Sequence, residues 1–190
     1  MTTKVVTDPA ENIRCSYLHV FEKHYNKKKE KEEFSVQLMI PKTAKNTIAM
    51  IQAAEKEAML EKFNGKIPNS ARKTALLDGD EPDAEGDVRP PEYEGHWFLR
   101  TTNDRPVGVV GKDPRVPMTD PLEFVSGDYV RAQIVAFGYD AKGNRGASFG
   151  LRNIQQLRKG EPLGGATRAE DVFDILDDDD DDPFSDDPLA

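Results

Sequence analysis

The sequence predicts a mainly β fold with one long helix, an OB-like small antiparallel barrel followed by a disordered acidic tail. Three observations predict it. Short segments rich in β-branched and aromatic residues recur along residues 1–160, separated by Gly, Pro, Asn and Asp. One segment alone, residues 43–63, has helical spacing. Residues 161–190 hold twelve acidic residues and one arginine, Arg168, a composition that cannot build a core.

The elements follow in order. "IRCSYLHVF" (13–21) reads as a strand, "EKHYNKKKEKEE" (22–33) as a charged loop, and "FSVQLMI" (34–40) as a second strand with Phe34, Val36, Leu38 and Ile40 on one face. Together they predict a hairpin with a long basic tip, stopped by Pro41. "TKVVT" (3–7) is a further strand candidate. From Thr43 to Phe63 the period lengthens, and Ala44, Ile48, Ile51, Ala58, Met59 and Phe63 form an apolar stripe interrupted at Glu55, with Gly65 as the C-terminal cap. Asp78 to Glu94 is rich in Pro, Gly and acid and reads as a solvated loop. "GHWFLRTT" (95–102) and "PVGVVG" (106–111) are two more strands. "DYVRAQIVAFGY" (128–139) and "RGASFGLRNIQQL" (145–157) form a pair joined by "DAKGN" (140–144).

Short strands with one inserted helix fit a barrel of the OB type. An α+β sandwich is the competing arrangement. In the usual OB order the helix joins strands three and four, whereas here it follows the second clear strand. The chain divides into a domain at 1–160 and a flexible tail at 161–190.

Charge divides at the same boundary. The whole chain carries −9, but residues 161–190 carry −11 and residues 1–160 carry +2. The overall acidity therefore does not exclude a nucleic-acid ligand for the body. Cys15 is the single cysteine, so no intrachain disulfide forms, and a lone thiol suits a reducing cytoplasm. No apolar run approaches the ~18 residues of a membrane span, and the N-terminus lacks the basic and apolar regions of a secretory signal. There is no Walker loop, dinucleotide fingerprint or serine elbow, and His19, His24, His96 and Cys15 do not have zinc-ligand spacing. No enzymatic activity, metal or cofactor is implied.

What remains is a binding surface. On the strand from 128 to 139, Val130, Ala132, Ile134 and Ala136 form a core face, and Tyr129, Arg131, Gln133, Val135, Phe137 and Tyr139 the opposite one. Rings with a cation among them suit stacking of unpaired bases and neutralisation of phosphates. Lys27, Lys28 and Lys29 on the first hairpin, Arg100 and Arg105 around the 103–105 turn, and Lys142, Arg145 and Arg152 around the last hairpin extend the candidate surface. Trp97 and Phe98 are adjacent on a strand and face opposite ways. The tail carries six consecutive aspartates, Asp177, Asp178, Asp179, Asp180, Asp181 and Asp182, then Phe184. A tethered polyanion competes with nucleic acid for a cationic groove, and an aromatic within it can anchor in a partner's apolar pocket.

"FSVQLMIPK" leading into the helix, "SGDYVRAQIVAFGYDAKGNRGASFGLRNIQQL" followed by "GEPLGG", and the Asp-rich end resemble the single-stranded DNA-binding proteins of tailed phages. "DDDDPF" is similar to the acidic Pro-Phe tip of bacterial single-strand-binding proteins, although "SDDPLA" follows Phe184 here. The resemblance implies an OB fold and sequence-independent coating of single-stranded DNA in replication and recombination, in the host cytoplasm. It also implies recruitment of a polymerase or helicase through the tail. Duplex DNA, RNA and the oligomeric state stay open. Two rival readings are an acidic interaction protein, a DNA mimic or chaperone that binds no DNA, and a metal-dependent nuclease using the 78–94 carboxylates.

Overall fold

A computed structural model describes residues 3–163 and Val172. Its elements are β1 (Lys4–Val6), β2 (Arg14–Asn26), β3 (Lys31–Pro41), α1 (Lys45–Lys62), β4 (Leu77–Asp78), β5 (His96–Asn103), β6 (Gly108–Val110), β7 (Tyr129–Ala141) and β8 (Asn144–Arg158). The fold is mainly β with one α-helix among the described residues, as its residue pattern dictates. Five strands close a ring in the order β7, β2, β3, β5, β8 and back to β7. β1 is added outside β7, β6 beside β8, and β4 beside β5.

The ring is antiparallel except where β8 meets β5, a parallel pairing of Thr101 with Phe149 and Thr102 with Gly150. An odd number of strands cannot alternate direction all the way round a closed path, so one join must be parallel. The core fills the ring: Val36, Leu38, Leu99, Ile134, Phe149 and Leu151 are among its fully buried members. Cys15 lies there too, and burial, then nearby Asp128, pushes its thiol up to about 12.

α1 lies in sequence between the second and third ring strands, as its early position implied. Its buried residues are Thr47, Ile51, Ala54, Glu55, Ala58 and Met59, a single helical stripe. Glu55, the interruption in the apolar pattern, is fully part of it. Its carboxylate accepts from Thr74 Oγ1 at 2.9 Å and from the Ala75 amide, which fastens the segment after the helix onto its flank. Burial raises the Glu55 carboxyl above its usual range. The free amides of Asn46 and Thr47 at the helix start donate to Glu11 at 2.9 Å each, a carboxylate placed where the helix dipole favours it. At the other end Gly65, with φ +85°, donates its amide to Leu60 O at 2.7 Å and closes the helix.

One expected loop is instead strand. Residues 22–33 are extended: β2 runs to Asn26, β3 starts at Lys31, and only residues 27–30 turn. The Asn26 side chain accepts from the amides of Lys28 and Lys29 and sets that turn. Past the core the arm's side chains are almost all polar, the buried Glu33 included, so its pairing carries no apolar alternation to read.

Candidate nucleic-acid interface

The outward surface of the ring is built by alternation. On β7, Val130, Ala132, Ile134 and Ala136 are buried, while Tyr129, Arg131, Gln133, Val135, Phe137 and Tyr139 are half-buried or exposed, which is the parity the sequence required. α1 packs against the buried side, and Gly138 leaves room there for Lys62 and the Ala58 carbonyl. The other side is open.

β2 does not keep one parity. Ile13 and Cys15 are core, and after Ser16 the core residue is Val20. A register shift between Ser16 and His19, with Tyr17 at φ 47°, makes the change and turns Tyr17 outward, where it is 65% exposed. Beyond it His19 and His24 stack with ring centroids 4.1 Å apart, and His24 Nδ1 lies 3.4 Å from Ser35 Oγ. Burial, then the neighbouring His24, lowers the His19 imidazole below its usual range. Across β3 and β5 the outward residues are Ser35 paired with Thr102 and Gln37 paired with Arg100. Gln37 Nε2 donates to Tyr93 Oη at 2.6 Å and to Ser16 Oγ at 3.0 Å. Burial, with a further contribution from Tyr17, raises the Tyr93 hydroxyl.

This face of β2, β3 and β5 has defined borders. The 27–30 turn bends over one edge, where Lys29 Nζ donates to Thr102 Oγ1 at 3.2 Å and to the fully buried Glu33 at 2.9 Å. Lys31 pairs with Asp104 at 2.7 Å, and that hydrogen bond holds the Asp104 carboxyl below its usual range. At the opposite edge Phe137, 48% exposed, stands over Gly150, which pairs with Thr102. Along the bottom Tyr93, Met39 and Phe98 form a second apolar cluster, and Arg89 and Arg100 lie 4.7 and 5.9 Å from the Phe98 ring.

The residues singled out in the sequence fall into separate groups. Arg100, Lys29 and Phe137 share the face just described, with Lys27 and Lys28 exposed on its turn and Arg105 exposed in the turn after β5. Tyr139 and Lys142 lie at the β7–β8 turn, where Arg145 pairs with Asp140 at 2.9 Å. Tyr129 is about 33 Å of strand away from Tyr139, with Arg158 3.3 Å above its ring and Arg14 at 5.5 Å. Arg131 is exposed on the same strand, and Arg152 is exposed on β8 beside Lys4. Trp97 packs on the main core under Lys42, 5.0 Å from its ring, and Phe98 is buried in the second cluster. Sequence reasoning passed over Tyr17, Tyr25, His19 and His24 as surface candidates, although the change of core parity between Cys15 and Val20 marks the bulge that exposes Tyr17. Asp177 to Asp182 and Phe184 lie outside the described residues.

Residues 3–184 match the family described as the ssDNA-binding protein of Enterobacter phage Enc34. A putative protein p50 from Acyrthosiphon pisum secondary endosymbiont phage 1 is 28% identical over 175 residues, 87% of this chain and 91% of that one. The fold is similar to the single-stranded DNA-binding protein from bacteriophage Enc34 in complex with ssDNA, with TM-score 0.67 and 22% identity over 85% of this chain and 88% of that one. It is also similar to gp2.5, a single-stranded DNA-binding protein encoded by bacteriophage T7, with TM-score 0.51 and 12% identity over 94% and 97% of the two chains.

Proposed function

The chain belongs to the Enc34 family of phage single-stranded DNA-binding proteins, and on that premise we propose that it binds single-stranded DNA without sequence preference, as a non-enzymatic coat in replication and recombination. The supporting observation is the outward face of β2, β3 and β5, where Tyr17, Ser35, Arg100 and Thr102 lie between a lysine-bearing turn and Phe137. Exposed rings offer stacking to any base, and Arg100 and the turn lysines offer charge to any phosphate, so nothing in the face selects a sequence. We read the ring as an OB-type scaffold whose outer wall is the ligand surface.

The acidic tail completes the proposal. It lies against the cationic face when no ligand is present, yields to DNA, and then recruits replication proteins through Phe184. Glu161 and Leu163 belong to the body's packing: Arg14 donates to the Glu161 carbonyl, and the Leu163 amide donates to Ser126 O at 3.2 Å. Truncation after Leu163 therefore leaves these contacts in place. Fluorescence anisotropy with oligo-dT and with a duplex of equal length tests the reading on both chains. The expected result is salt-sensitive binding of oligo-dT that tightens on truncation. Absence of binding by either chain overturns the DNA-binding reading in favour of an acidic interaction protein. Unchanged or weaker binding after truncation overturns the competing role of the tail.

A further inference from the structure

The strand pairings place one transverse row of residues across six strands. His19 on β2 pairs with Ser35 on β3, Ser35 with Thr102 on β5, Thr102 with Gly150 on β8, Gly150 with Val135 on β7, and Val135 with Lys4 on β1. Every member faces away from the ring core: Val20, Val36, Thr101, Phe149, Ile134 and Val5 are the buried neighbours one position along. Between the two ends the side chains are short. At Gly150 the floor is backbone alone, flanked by the Phe137 ring, whose Cε1 is 3.9 Å from where a Cβ would stand. Because these strands close on themselves, the row curves round the outside of the ring, about 24 Å measured along the wall, or five inter-strand spacings.

At its far end the row opens into a hollow of about 380 Å³ lined by Lys4, Gln133, Val135, Arg152 and Asn153. The ladder creates it. Gln133 pairs with Asn153 and Ile134 with Leu151, so Arg152 is the extra residue of a bulge, and Arg152 and Asn153 are both exposed. Asn153 Nδ2 donates to Gln133 Oε1 at 2.6 Å, which directs the Gln133 NH2 elsewhere. Asn153 Oδ1 occupies space that only a glycine at position 108 leaves, 2.2 Å from where a Cβ would stand. The two amides are thus held, and Arg152 makes no ion pair among the described residues.

We infer that this hollow is a second nucleotide subsite, taking a phosphodiester of the same single strand after it has followed the row round the outer wall of the ring from the β2–β3–β5 face. The inference rests on the DNA-binding reading and adds a path and an end point to it. Two cationic side chains and the Gln133 amide suit a phosphate, and Val135 is an apolar floor for a sugar or base. The strand pairing supplies continuity between this subsite and the face that carries Tyr17.

The test uses the full chain and a ladder of oligo-dT from about 4 to about 16 nucleotides, the range of site sizes for such folds. In Arg152→Gln, affinity for the shortest bound oligonucleotide should equal wild type, while affinity for the longest should fall severalfold, with a salt slope smaller by about one. Arg152→Lys should restore the length dependence, and both variants should melt with the wild type. Equal loss at every length, or no loss at any, overturns the subsite while leaving the DNA-binding reading intact. Failure of the wild type to bind any oligonucleotide takes down both.

Discussion

The ring contains two long hairpins that differ in how they meet the solvent. β7–β8 is paired at thirteen positions from Tyr129 to Ala141 and turns through Lys142 and Gly143, both at positive φ. β2–β3 is paired at seven, with breaks between Ser16 and His19 and between His19 and His24. The first hairpin is mostly wall: its inner face is core from Val130 to Ala136, its pairing continues past two register shifts to the tip, and its two-residue turn has the twist of its strands. The second begins as wall and becomes an arm, on which Tyr25 is 57% exposed and the ladder yields to stacked histidines and a buried Glu33 paired with an exposed Lys29. The longer, denser pairing holds the ring, and the sparser pairing presents the rings and cations.

Substitutions on the two hairpins sharpen or break that contrast. The largest effect is expected at Tyr17, whose ring is exposed by the bulge. Tyr17→Ala should weaken oligo-dT binding roughly 5- to 150-fold, the equivalent of losing one stacked base, and titration by anisotropy reads it. An unchanged affinity would move the ligand surface off β2. Phe137→Ala should cost less, because Phe137 is about half-buried at the border, and Tyr129→Ala should leave affinity unchanged, because Arg158 already covers its ring. A loss at Tyr129 equal to that at Tyr17 would make β7–β8 the principal surface instead. The smallest effect concerns His19. Its folded-state imidazole titrates below the usual 6.5, chiefly because burial opposes its charged form. It therefore adds stability above pH 6.5 that is lost as the pH falls through its lowered value. Melting temperatures between pH 7.5 and 5.5 should decline slightly more in the wild type than in His19→Gln.

Much of the wall was legible in the sequence, and most of the arm was not. Alternation from Val130 to Ala136 identified the inner and outer faces of β7, because one side is core along its length and polarity tracks burial. Residues 22–33 gave no such signal: nearly all are polar, even the buried Glu33, and a paired strand of that kind reads as loop. Trp97 and Phe98 were assigned to opposite faces correctly on parity, but not their burial. Phe98 is covered by Tyr93, which lies only five residues upstream but is folded back over it, edge to face at 5.2 Å, by the 3-10 turn Pro91–Tyr93, inside a stretch that reads as solvated loop. Glu55 looked like a flaw in the helical stripe because its partners, Thr74 and Ala75, lie beyond the helix end. The cations were found by type, but which of them share a face depends on the order of strands around the ring.

The parallel join of β5 and β8 has a consequence for how the molecule holds together. Every other joint of the ring belongs to an antiparallel pair, while this seam is parallel and stitched at two registers; with β2–β7, whose ladder pairs Arg14 with Tyr129 alone, it is one of the two thinly paired joints of the ring. Like the β3–β5 and β2–β7 joints, it joins distant parts of the chain and closes at a cost in loop entropy, here with few pairings to offset it. The Thr102–Gly150 step lies on the seam, so a polymer laid across it would bridge both lips, and the cargo would act as a rivet for the hoop that carries it.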